Sequence, residues 1–263
     1  MLRLLLPLLL GAATTAAAQL NDIVERTLTV TERVLPHPSL READVFWQKR
    51  TWQLIDTREK KNLVFRHPDQ AFMDVLRRGL ESGDVIAYRD DQFREPLDRT
   101  ALHRQFYSVD TATIFNLETL QPELQIVENT LHTDDVKRFR ISEIWYFDHQ
   151  TSQLRVRILG VAPLREEYDE NGNFLHETPM FWVHLPSARS YLAQHEVFVS
   201  GNEAARYSWD DLFEQRRFAS VIYRESNLRG DRLQDRYSGR DQLLAADRIR
   251  QEIFNWEQDR WSR

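Results

Sequence analysis

Between Lys137 and Leu185 the apolar residues fall on alternate positions. Phe139, Ile141, Glu143, Trp145 and Phe147 share one face, with Arg140, Ser142, Ile144 and Tyr146 on the other, the period of a strand with one heavily apolar face. A polar turn at 148–152 returns the chain through Leu154, Val156 and Ile158. A second turn at 168–173 carries Asn171-Gly172, a strong hairpin signal, before Met180-Phe181-Trp182-Val183. The pattern predicts a three-stranded antiparallel meander.

On either side of the meander the period lengthens. Ser39 and Glu42 form an S-x-x-E box ahead of Val45, Trp52 and Ile55, with Trp47 and Leu54 beside them, which predicts a helix from 39 to about 60. After His67-Pro68, the spacing of Phe72, Val75, Leu76 and Leu80 predicts a second helix stopped by Gly83, then a strand through Val85-Ile86-Ala87-Tyr88. Short helices are expected at 188–195 and, capped by Ser208 with Asp211 in the box position, to about 217. A strand at 218–223 follows, so this helix-then-strand unit echoes residues 70–89. Leu243, Ala246, Ile249, Ile253, Phe254 and Trp256 predict a last helix over 241–261. Residues 90–136 show no clear period and read as a long irregular excursion, a candidate binding element. Residues 19–38, closed by Pro36 and Pro38, read as an extended arm.

The expectation is an α+β fold: an antiparallel β meander with packed amphipathic helices, an N-terminal extended arm and a C-terminal helix. The segments are 1–18, 19–38 (arm), a single α+β core domain over 39–229, and a C-terminal helical segment over 230–263.

The first segment reads as a signal peptide. Met1-Leu2-Arg3 precedes an apolar run from Leu4 to Leu10, and Ala16-Ala17-Ala18 forms an A-x-A site before Gln19. Gly11, Thr14 and Thr15 interrupt the run well before the roughly 20 apolar residues a membrane span requires. The chain has no cysteine, so the site cannot carry a lipid and the fold has no disulfides. The mature protein is expected in the exported compartment, reaching a membrane only through a partner. Removing 18 residues from 263 leaves 245, enough for a core that needs no staples.

Charge and glycine content narrow the function. The leader removes one Arg and no acid from a chain of net charge −6, leaving −7, and no Lys/Arg block stands free of acids, so a nucleic-acid surface is not indicated. With 8 Gly, neither a Walker-type nor a dinucleotide-type phosphate loop occurs. Serine elbows and H-E-x-x-H are absent, and thiolate chemistry is impossible. Glu166-Glu167 and Asp169-Glu170 read as an acidic hairpin tip in solvent, since the EF-hand spacing fails. Asp90-Asp91 reads as a turn. No catalytic residue, metal site or cofactor is assigned.

Several aromatic-and-charge strings stand out. They are 44–52 (DVFWQKRTW) with 55–60 and Asn62, 143–148 (EIWYFD), 157–163 (RILGVAP), Phe181-Trp182, 208–213 (SWDDLF), 216–227 (RRFASVIYRESN) and Ile253-Phe254-x-Trp256-Glu257. Together, over 40–261 and in order, they resemble the GldN/PorN family of the type IX secretion and gliding-motility machinery. The resemblance implies a non-enzymatic ring subunit in the periplasm, associated with the outer membrane through a GldK/PorK-like lipoprotein and meeting the GldM/PorM-like shaft of a proton-driven motor. A ring built head to tail requires two different patches on one chain. The expected patches are the face of the 39–60 helix (Trp47, Trp52, Arg58) and the C-terminal helix (Trp256, Trp261). The alternative is a periplasmic carbohydrate-binding protein or hydrolase using Trp145, Phe147 and Trp182. A deep pocket of convergent polar groups would favour the enzyme, and broad shallow patches the ring subunit.

Overall fold

The computed structural model describes residues 34–116, 121–169, 171–198 and 207–261. The expected leader and residues 19–33 of the arm lie outside them. The segment expected as the first helix is a strand, β1 (Val45–Asp56), preceded by a short 3-10 turn at Glu42–Asp44 that has no side-chain cap. Its β-branched Val45, Thr51 and Ile55 and its aromatic Phe46, Trp47 and Trp52 are types that suit a pleated surface. The helix-like spacing has a physical cause. β1 lies inside the sheet and buries side chains on both faces, so apolar residues occur on both parities and imitate a helical spacing.

The expected meander is present. β5 (Arg138–Asp148), β6 (Gln153–Tyr168) and β8 (Trp182–His184) pair antiparallel in that order, and β7 (Phe174–Pro179) adds a further strand on the distal half of β6. β1 pairs with β5 from Val45↔Asp148 to Asp56↔Arg138. Two short strands complete the sheet, β2 (Ala87–Tyr88) beside β8 and β11 (Val221–Glu225) beside β1, giving the order β11-β1-β5-β6-β8-β2, while β9 (Glu196–Val197) and β10 (Tyr207–Ser208) pair with each other apart from it. The echoed helix-then-strand units therefore end on opposite edges.

The helices cover one face. Along the register, Ile55, Phe139, Ile141, Val161 and Val183 share a parity and pack against α1 (Phe72–Ser82), α3 (Leu185–Leu192) and α4 (Trp209–Glu214). α1 stops as expected at Gly83, whose φ of 87° is the left-handed cap conformation. The Ser208–Asp211 capping box opens α4. A bidentate pair from Arg189 to Asp210, at 2.8 and 3.1 Å, ties α3 to α4, and the same guanidinium donates to the Leu35 carbonyl of the arm. Farther along the same face, α5 (Gly239–Trp261) lays Ala246, Ile249 and Ile253 on Ile222, Trp47 and Trp145. Asn62, fully buried, bonds the Asp56 carbonyl and both backbone groups of Ala219, fixing the approach to β11.

Residues 90–136 are more regular than expected. Asp98 caps α2 (Arg99–Phe106) by accepting from the Ala101 N–H. A long hairpin follows, β3 (Tyr107–Asn116) with β4 (Gln121–Thr130), paired in register with each other and with no other strand among the described residues. Its sequence mixes apolar and polar residues on both parities, so its period escapes detection.

Candidate interaction site

Trp47 and Trp52 are five residues apart on a strand, and alternation sends them to opposite faces. Trp47 is on the helix side, where its ring stacks on Trp256 with centroids 4.8 Å apart, and Trp256 meets Phe147 edge-on at 5.3 Å. The structure thus joins two of the expected partner residues within one molecule, each half-buried. Trp261 is the last residue of α5, and its side chain lies outside the described residues. Arg58 is exposed and held by Asp56, whose carboxyl it keeps well below the usual carboxylate range.

Trp52 lies on the other face and is 6% exposed. The Arg224 guanidinium stacks over its ring at 4.2 Å, and its indole N–H donates to Asp91 at 2.6 Å. The aromatics weighed for a carbohydrate platform are also packed. Trp145 is engaged by Phe254 and Arg216, Phe147 by Trp256, and Trp182 is 6% exposed.

Around Trp52 the sheet opens into a shallow groove of about 580 Å³ lined by Arg50, Asp91, Phe93, Arg94, His184 and Arg224. One wall is the turn at 90–94, where Asp90 and Asp91 occupy the expected turn and Phe93 adopts φ of 56°. That conformation is costly for a bulky residue and is repaid by its ring, which sits over Gly160 where any Cβ would come within 2.5 Å of it. Arg140 extends the cationic row by stacking on Tyr223 at 5.2 Å. The Nε groups of Arg140 and Arg224 are buried without hydrogen-bond partners among the described residues. Arg50, Arg94 and Arg224 outnumber Asp91, so the groove is positive on a chain of net charge −6. Sequence reasoning missed this site because Arg50, Arg94 and Arg224 come from three distant segments. Their common location depends on the β1–β11 and β6–β8 pairings.

On the helix side the one fully buried acid among the described residues is occupied. Glu143 takes both terminal nitrogens of Arg216, and burial pushes its carboxyl up while the guanidinium opposes this. The acidic tip is a self-contained turn, with Asp169 accepting from the Asn171 and Asn173 backbone and Glu166 from Lys137. No group of three metal-ligating side chains occurs among the described residues, and no described helix is long and apolar enough to cross a membrane.

A family model described as "Gliding motility associated protein GldN" matches residues 40–262. No curated protein sequence matches the chain.

Proposed function

Because the chain belongs to the GldN family of gliding-motility-associated proteins, we propose that it is a structural subunit of the type IX secretion and gliding machinery rather than an enzyme. In this reading it works in the periplasm as part of a homo-oligomeric ring. One side holds an outer-membrane lipoprotein of the GldK/PorK kind, and another meets the shaft of a GldM/PorM-like motor. The observation that carries the reading is the extent of the family match, which spans both faces of the sheet and α5. The open arginine face agrees with it. Arg and Trp are the residue types that anchor protein interfaces, and the groove around Trp52 is broad, shallow and charged, not a deep pocket with convergent catalytic groups. The ionisable groups buried deepest are engaged in holding the fold together, Glu143 with Arg216 and Asp210 with Arg189.

Cell fractionation tests this. In cells carrying the lipoprotein the chain is expected with the outer membrane and to co-purify with that partner. Deleting the lipoprotein should release the chain to the soluble fraction, and its retention on membranes would overturn the bridging role.

A further inference from the structure

We propose that the arginine-lined groove on the open face binds an acidic peptide segment of a partner protein, taking up carboxylates from alternate residues of an extended chain. The inference rests on the structural-subunit reading above and names the chemistry of one partner surface.

Three cations in the groove lack carboxylate partners. Arg50, Arg94 and Arg224 form no ion pair among the described residues, although the chain has more acids than bases. Elsewhere arginines are taken, Arg216 by Glu143, Arg189 by Asp210 and Arg138 by Glu177. Asp91, the acid lining the groove, accepts from the Trp52 indole. Arg224 is held by its stack on Trp52, so little side-chain freedom is lost when a carboxylate arrives. Its Nε is already out of water without an acceptor, which leaves the guanidinium short of partners. His184 is bonded to Ser187, and burial holds it below its ordinary 6.5, so the arginines supply the charge near neutral pH.

Spacing selects the ligand. Trp52 lies directly opposite Arg224, so Arg50, two residues along β1, is the diagonal neighbour of Arg224 on the same face, about 7–8 Å away between backbones. Alternate residues of an extended peptide are roughly 6.6 Å apart and point the same way. Two carboxylates so spaced can each meet one guanidinium, and a third can reach Arg94 on the turn that walls the groove. A single phosphate would need guanidinium groups converging on one point, and here they come from β1, β11 and the 90–94 turn. A neutral glycan needs free groups to bind its hydroxyls, and Asp91 and His184 are both engaged. The net charge of −6 repels anions from the rest of the surface, so an acidic peptide must be held locally.

The test is fluorescence anisotropy of a labelled Ser-Glu repeat peptide with the purified mature chain. The peptide is expected to bind roughly tenfold or more tightly than the matching Ser-Gln repeat, and less tightly as salt rises. Arg50→Glu with Arg94→Glu should remove that preference, while Lys60→Glu with Lys61→Glu, outside the groove, should leave it intact. If the reversal misfolds, Arg50→Gln with Arg94→Gln should give the same loss at an unchanged melting temperature. Equal binding of the two peptides, a reversal without effect, or loss on reversing the lysines instead would each overturn the proposal. So would oligogalacturonate or inorganic phosphate that displaces the labelled peptide at lower concentration than the unlabelled Ser-Glu repeat does. None of these outcomes touches the bridging role, which is judged by co-purification with the lipoprotein.

Discussion

On the helix-covered face, Ile55, Phe139, Ile141, Val161 and Val183 are each at most 1% exposed and belong to one apolar cluster. One residue along the same strands, the opposite face carries Arg50, Trp52, Arg140 and, across the sheet, Arg224. Both faces use aromatics, with a different balance of partners, although Arg216 also lies over Trp145 and Phe218 on the covered side. Under the helices, rings pack on rings, as Phe65, Phe72 and Trp209 do. On the open face, rings carry guanidinium groups. Burial on the first face stabilises the fold, while the second remains a charged surface stiffened by stacking. One sheet thus separates, by side-chain parity, a helix-covered face from an open face of stacked guanidinium groups.

That division orders the expected effects of mutation. Trp209→Ala, at 0% exposure among Phe65, Phe72 and Phe213, should cost about 3–5 kcal/mol in urea unfolding, the range for large-to-small core changes. A cost near zero would mean the helix layer is not the core.

Arg216→Ala should cost about 3 kcal/mol near neutral pH, because it strands the buried Glu143 carboxylate. Burial already sets the folded carboxyl above its ordinary 4.5, and losing the guanidinium raises it further. The folded variant then binds the proton more tightly than the unfolded chain. Its stability should be fullest below about pH 4.5 and fall as pH rises through the folded value, so unfolding midpoints at pH 5 and pH 8 should diverge more than in wild type. Parallel midpoints would place Glu143 in solvent.

Gly160→Ala should displace Phe93 from the open face at about 1–3 kcal/mol, the usual cost of overpacking. Loss of Trp52 fluorescence perturbation by the neighbouring turn would report it, and an unchanged melt and spectrum would contradict the packing.

Trp256→Ala removes one half-buried stack on Trp47 and should cost about 1 kcal/mol. Unchanged stability with lost assembly would instead make Trp256 a partner contact.

The sequence strings that suggested the family turn out to meet one another. Trp52 meets Arg224, Glu143 meets Arg216, Trp47 meets Trp256, and Asn62 clasps Ala219. Many of these family-like residues are thus pairs that hold the fold, which local periodicity cannot show. The meander, α1 with its glycine stop, the Ser208 cap and α5 were legible because each announces itself locally. β1 was not, since a strand buried on both faces loses its alternation. The hairpin was not, since its apolar residues fall on both parities. The groove was not, since register, rather than spacing, brings its arginines together.

The most direct measurement isolates native complexes from cells expressing Arg50→Glu with Arg94→Glu. If the open face is for recognition and the covered face for folding, the purified variant melts at the wild-type temperature yet leaves the high-mass fraction. A variant that melts normally and stays assembled would contradict the account.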